Sequence, residues 1–314
     1  MNRLVLKIIS LLGVFVAASA NSAINEDFRA FAQVTGDLYQ VQDDNNTYTA
    51  FLVTPEGIIL MDPINTRTAV WLKAELKKRF DLPVKYLIYS HSHDDHSSGA
   101  AVYDEATIIG HENVVAEFDI WNDLSIAIDD FDGFDGDVDK FTEYRKNNPA
   151  VYPDITFNER FTVKLGDKQV NLVYLGKGHS DNMIAVHFPE ERAVLAVDAV
   201  WINRVSFLDL PFKHYFPELF EGLRIIESID FDILLAGHGV PGTGKGATGS
   251  KAHITEFREY FEALYAKIIE ARENGLSKDE AVASIELPEF SHLGMYEQWF
   301  KLNVKGMWFH MYGE

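Results

Sequence analysis

No cysteine occurs anywhere in the 314 residues. That absence removes disulfides, iron–sulfur clusters, thiolate zinc sites and a cysteine nucleophile together, so any bound metal has to be held by His, Asp and Glu. Positive charge is scarce as well: 28 Lys and Arg stand against 48 Asp and Glu, a formal charge of -20. Such a field repels phosphate backbones and argues against general nucleic-acid binding. Internal repeats and low-complexity tracts are missing, and the most concentrated apolar run, residues 8–17, falls short of the about 20 residues that a membrane-spanning helix takes. Apolar residues themselves are plentiful at 47%, enough for one large folded domain or two ordinary ones.

The first segment reads as an address. Arg3 and Lys7 make a basic start, residues 8–17 an apolar stretch, and Ala18-Ser19-Ala20 an A-x-A-like cleavage site, the pattern of a secretory signal peptide. The expectation is residues 1–20 as a signal peptide cleaved after Ala20, and residues 21–314 as a single exported domain, periplasmic or secreted, with no stable membrane anchor. Losing Arg3 and Lys7 would lower the formal charge by two, to -22.

Beyond that segment, short apolar runs at 38–41, 48–53 and 58–61 predict strands, separated by Asp43-Asp44-Asn45-Asn46 and Pro55-Glu56-Gly57. Residues 66–80 carry Val70, Leu72, Leu76 and Phe80 with basic residues at the end, which predicts a helix. Residues 84–89 then form a strand that runs straight into His91-Ser92-His93-Asp94-Asp95-His96. Downstream, a strand at 170–175 precedes His179, a hairpin of 183–188 and 193–197 ends at Asp198, and a strand at 231–236 precedes His238. Four strands thus lead into metal-capable residues, as expected where ligands gather beyond strand ends on loops held by a rigid scaffold. Helices at 254–274, 278–285 and 295–311 close the chain.

No clear period emerges over 105–159, where an insertion near 111–160 is expected. Its acidic stretch at 129–137 lacks the spacing of a calcium loop and reads as a solvated loop. The aromatics Phe118, Trp121, Phe131, Phe134 and Tyr144 suit either a lid or a core. Gly242-Thr243-Gly244-Lys245-Gly246 lacks the spacing of a phosphate loop.

Three histidines in six residues, with an acid between them, have a specific chemistry. His91 and His93 are two apart and share a face of an extended segment, while Asp95 and His96 reach a second point after the chain turns. Neutral imidazole and carboxylate suit Zn²⁺, and also Fe, Mn or Co. Together with His179, Asp198 and His238, the motif resembles that of the metallo-β-lactamase fold superfamily, and 54–63 resembles its opening motif. The resemblance implies an α/β fold, a four-layer αββα sandwich, with two metal ions at one rim, most simply zinc. His91, His93 and His179 would hold the first ion, Asp95, His96 and His238 the second, and Asp198 would bridge both. Asp62 would orient a ligand, or else serve only as turn chemistry at a strand end.

The implied mechanism is attack by a bridging hydroxide, since two dications about 3.5–4 Å apart lower the pKa of a shared water toward neutrality. Asp95 could in addition orient that nucleophile or take its proton. Asp198 stands where β-lactamases of this fold generally carry Cys or Ser, which favours a small ester, lactone, thioester or amide over β-lactams. β-Lactam hydrolysis, a persulfide dioxygenase-like iron chemistry and a non-catalytic metal-binding role are the alternatives. His111, His187, His214, His253, His292 and His310 read as surface or structural residues. In the aromatic segment 201–220, with Phe207, Phe212 and Phe216, His214 or Tyr215 could donate to an oxyanion.

Overall fold

The computed structural model describes residues 29–126, 138–210, 214–240 and 247–313. The expected signal segment, the acidic stretch 129–137 and the glycine-rich 242–246 lie outside them. Two sheets form the middle of the molecule. The first runs β1 (Ala30–Thr35), β2 (Leu38–Gln42), β3 (Tyr48–Thr54), β4 (Gly57–Met61), β5 (Val84–Ile88), β6 (Thr107–His111) and β7 (Ile155–Phe157) in spatial order. Its first four strands are an antiparallel meander and its last four pair in parallel. The second sheet contains β8 (Arg160–Leu165), β9 (Lys168–Tyr174), β10 (Ile184–Phe188), β11 (Ala193–Leu195), β12 (Ile233–Leu235) and β13 (Thr248–Gly249), with β11 and β12 parallel and the other pairs antiparallel.

Period-two alternation sends successive side chains of each strand into different layers. Leu52, Ile59 and Met61 face Leu172, Val186 and Leu195 between the sheets. Their neighbours Phe51, Ile58 and Leu60 point outward against α1 (Thr66–Phe80) and α3 (Val114–Asn122), where Leu72, Leu76 and Phe118 close the layer. On the far side, Ala185, Val194 and Leu234 pack under α5 (Glu218–Ser228), α6 (Lys251–Glu273) and α8 (Tyr296–Tyr312) through Leu223, Phe257, Leu264 and Trp308. The result is helix, sheet, sheet, helix: the expected four-layer α/β sandwich. Burying a Leu or Phe side chain in such a layer contributes roughly 1.5–3 kcal/mol.

Two further helices flank the first sheet's loops. α2 (Asp94–Ser97) is a single turn, and α4 (Val138–Asn147) lies against α3 in the segment where an insertion was expected. Of the closing helices, α7 (Lys278–Ser284) spans only seven residues, ended where Ile285 turns to extended backbone. β1, β6, β7, β8 and α5 go beyond the elements expected from sequence. No described helix is long and apolar enough to cross a membrane.

Candidate metal centre

The site lies at one end of the sandwich, where the strand ends of both sheets meet. β5 delivers Ser90 and His91, and the extended backbone of His93 (φ -60°, ψ 144°) caps α2, which carries Asp95 and His96. His179 sits on the loop between β9 and β10. Asp198 follows β11 in a left-handed conformation (φ 54°), one that Asp tolerates better than most residues. His238 follows β12 and is bridged to Thr47 in the turn between β2 and β3, so the first sheet grips a residue carried by the second. Gly237 is required by space. A Cβ there would lie 2.5 Å from Asp198 Oδ1 and 2.6 Å from Val197 Cγ1.

All seven sequence-predicted residues converge in two groups, His91, His93, His179 and Asp198, and Asp95, His96, Asp198 and His238, with the donor atoms of each within 4.8 Å of one another. Asp198 is common to both. His93 Nδ1 and His179 Nε2 are 2.9 Å apart, and the Nε2 atoms of His96 and His238 are 3.2 Å apart. Two nitrogens about 2.0–2.1 Å from one ion in tetrahedral geometry stand roughly 3.3 Å apart. Asp198 Oδ2 is 3.4 Å from His96 Nε2, 3.6 Å from His179 Nε2 and 3.9 Å from His91 Nε2. His91 Nε2 is buried with no hydrogen-bond partner, a costly state for a polar atom unless something else satisfies it. The donor set therefore fits metal ions.

Electrostatics agree with that fit. Burial, reinforced by neighbouring imidazoles, pushes His91 and His179 well below the ordinary histidine range. Burial also lowers His93 to about 4. These rings are neutral at pH 7, the form that ligates. Burial opposes ionisation of Asp95 and Asp198, but the charges of His96 and His238 overcome it and hold both carboxyls well below their usual range. The reverse pull of those carboxylates overcomes burial at His238, raised to about 9, and at His96. In the second group, the two carboxylates thus favour positive charge beside them, which suits a cation.

A further set of side chains holds the candidate ligands in place. Asp62 accepts from Ser90 N–H at 2.7 Å and from Ser90 Oγ at 2.6 Å, and Ser90 Oγ lies 2.9 Å from His91 Nδ1. Asp62 Oδ2 is also 3.7 Å from His96 Nδ1, so Asp62 does more than finish a turn. Asn182 is fully buried. Its Oδ1 accepts from the Ser92 backbone N–H at 2.8 Å and its Nδ2 donates to Ser92 Oγ at 3.2 Å, tying the His179 loop to the residue between His91 and His93.

His214, which sequence alone ranks as surface or structural or as an oxyanion donor, has its Nε2 3.3 Å from His179 Nδ1. The fold brings a distant loop behind a candidate ligand, and no spacing in the chain announces that. Tyr215 donates its backbone N–H to Gly178, and its ring lies under Lys177 Nζ at 5.0 Å. Trp201 stacks on His238 at 5.2 Å, and the Arg204 guanidinium lies 4.4 Å from the Trp201 ring while donating to the Gly239 carbonyl. Phe207 and Phe216 pack into the outer helical core, and Phe212 lies outside the described residues. His111, His187, His253, His292 and His310 are absent from both metal-capable groups.

Comparison with known proteins adds the lineage. The chain is 20% identical over 277 residues to the linear primary-alkylsulfatase of Pseudomonas sp. (strain ATCC 19151), a match that covers 79% of this chain and 51% of that protein. Among solved structures, the stereoselective inverting sec-alkylsulfatase from Pseudomonas sp. superposes with a TM-score of 0.70 at 14% identity, covering 91% of this chain and 50% of its own. The metallo-beta-lactamase from Pontibacter korlensis gives a TM-score of 0.56 at 14% identity, covering 74% and 97%. The chain thus spans about half the length of the alkylsulfatases it matches. The family model of the metallo-beta-lactamase superfamily matches residues 44–238, a stretch that contains all seven converging side chains. With fold, site and family model in agreement, this chain belongs to the metallo-beta-lactamase superfamily.

Proposed function

We propose that the protein is an exported hydrolase with two metal ions, most simply zinc, that cleaves a small ester, lactone, thioester or amide. The observation that carries this reading is the shared Asp198, which joins two four-residue donor groups into one centre. Bound metal ions would supply Lewis acidity and a water acidified to near neutral pH. His91, His93 and His179 would hold one ion, and Asp95, His96 and His238 the other. Asp95 is 44% exposed, and it is kept ionised by His96 and His238. Its carboxylate is therefore placed to orient an attacking water at the mouth of the centre and to accept its proton. Ser90, Asp62, Asn182 and His214 fix the orientation of the histidines, so little reorganisation accompanies the reaction.

Sulfate esters are a second reading. They are favoured by the likeness to alkylsulfatases, which extends over 91% of the chain against 74% for the metallo-beta-lactamase. The test is a turnover panel on zinc-loaded mature protein: a carboxylic ester, a lactone, a thioester, an alkyl sulfate, a β-lactam and a phosphodiester. Preference for an ester, lactone or thioester supports the first reading, and preference for the alkyl sulfate selects the second. A β-lactam kcat/KM above roughly 10⁴ M⁻¹s⁻¹, in the range of real substrates, would overturn the argument from Asp198. Full activity of His91→Ala or Asp198→Ala at reduced metal content would sink the metal mechanism. Export is tested by the mass of the protein recovered from the periplasm, with Asn21 expected as the first residue.

A further inference from the structure

The metal centre is closed on most sides. The side chains of His91, His96, Asp198 and His179 are at most 5% exposed and that of His238 is 17% exposed, whereas the Asp95 carboxylate is 44% exposed. The centre is thus most open around Asp95, with the partly buried His93 beside it. At that side stands α4. Tyr144 Oη donates to Asp94 Oδ2 at 3.1 Å, and Asp94 is the residue between His93 and Asp95. The Tyr144 ring lies nearly parallel to Phe141 (6.3 Å between centroids, 20°), and Trp121 of α3 meets both edge-on at 5.7 and 6.2 Å.

This aromatic group is held firmly. The buried Arg145 guanidinium donates to the carbonyls of Ile120, Trp121, Asp123 and Ile126 at the end of α3, and Trp121 Nε1 donates to the carbonyl of Asn148 beyond α4 at 2.9 Å. Exposed apolar side chains are also concentrated here. Ile120, Leu124, Tyr144 and Tyr152 are four of the six large apolar side chains exposed among the described residues. Scattered exposed apolar residues are ordinary, but several of them gathered around one pair of helices mark a candidate contact surface.

We propose that Trp121, Phe141 and Tyr144 form an apolar subsite for the hydrocarbon portion of the substrate, so that favoured substrates carry an extended alkyl or aryl group next to the bond that is cleaved. The inference rests on the hydrolase reading above and deepens it. Rings with broad apolar faces reward each methylene laid against them, by about two- to four-fold in kcat/KM until the ledge is covered. They offer a compact polar substrate nothing.

The experiment uses the zinc-loaded full chain and two readouts. The first is kcat/KM for p-nitrophenyl esters from acetate to decanoate. The second is calorimetric binding of decyl sulfonate against ethyl sulfonate, which needs no turnover. At least a ten-fold rise along the ester series is expected, flattened in Phe141→Ala and kept in Tyr144→Phe, which retains the ring. Phe141→Leu serves if the alanine variant does not fold, with a partial loss of slope expected. Turnover without chain-length dependence, or a slope unchanged in Phe141→Ala and Phe141→Leu, overturns the subsite and leaves the hydrolase reading standing. If no p-nitrophenyl ester is turned over, only the carboxylic-ester part of that reading fails. Decyl sulfonate binding then decides the subsite alone: binding at least ten-fold tighter than ethyl sulfonate and weakened in the Phe141 variants upholds it, and equal binding of the two overturns it.

Discussion

Asn182 owes its weight to a position between two loops that are far apart in sequence. One amide side chain answers both the N–H and the hydroxyl of Ser92, and Ser92 separates two candidate ligands on an extended segment. Truncation to alanine removes none of the seven candidate ligands, yet it leaves the partly buried Ser92 N–H without its acceptor and loosens the tie between the His179 loop and the His91–His93 loop. Asn182→Ala is expected to lower metal affinity 10- to 100-fold, the usual effect of losing a group that orients ligands. Competition with a fluorescent chelator measures it, and affinity within two-fold of the parent would refute it. The seven side chains that converge were legible in the sequence, because imidazoles and carboxylates clustered at strand ends have few other uses. Asn182, Ser90 and His214 were not, since each acts through a partner that only the folded chain brings near.

The same limit separates elements that could be read from those that could not. β4 announces itself by an unbroken apolar run after Gly57, and β3 and β5 by runs interrupted only at Thr49 and Lys85, as largely buried strands do. β1 is largely exposed along its length, so no alternation marks it. α5 carried a usable signal in Leu219, Phe220, Leu223 and Ile226, spaced for one helical face, but that signal was masked by the aromatic segment leading into it. α4 is weak as an isolated helix and is secured from outside by Arg145, whose guanidinium answers four carbonyls around the end of α3. Arg145→Met keeps most of the side-chain volume and removes those bonds. It should cost about 2 kcal/mol or more of stability, read as a lower urea midpoint.

At the scale of the whole molecule, stability should respond to metal and to acid. Loading with zinc at a hundred-fold excess over Kd should stabilise the fold by about 2.7 kcal/mol, and a chelator should reverse it. An unchanged melting temperature on chelation would argue against an integral metal centre. Acid acts through His111 among other groups. Its Nε2 lies 2.6 Å from the Asn158 carbonyl and its Nδ1 accepts from the Asn113 N–H at 3.3 Å, so the folded ring is neutral. Burial holds its pKa below the usual 6.5, with the Asn158 carbonyl opposing. The unfolded chain takes up the proton first, so this contribution is complete above about pH 6.5 and is lost as the pH falls through and below that value. The difference in unfolding free energy between pH 7.5 and 5.5 should therefore be smaller in His111→Gln. An identical difference would remove His111 from the account.

The two donor groups draw evenly on the two sheets. His91 and His93 come from the N-terminal sheet and join His179 and Asp198 from the C-terminal one, while Asp95 and His96 join Asp198 and His238. Neither half of the chain owns a complete set. A chain whose halves had folded but not docked would offer only two of the four side chains of each donor group. Tight capture of a metal ion would then wait until the sandwich had closed, so occupancy of the centre would act as a certificate of finished assembly, issued by the same atoms that would later do the chemistry.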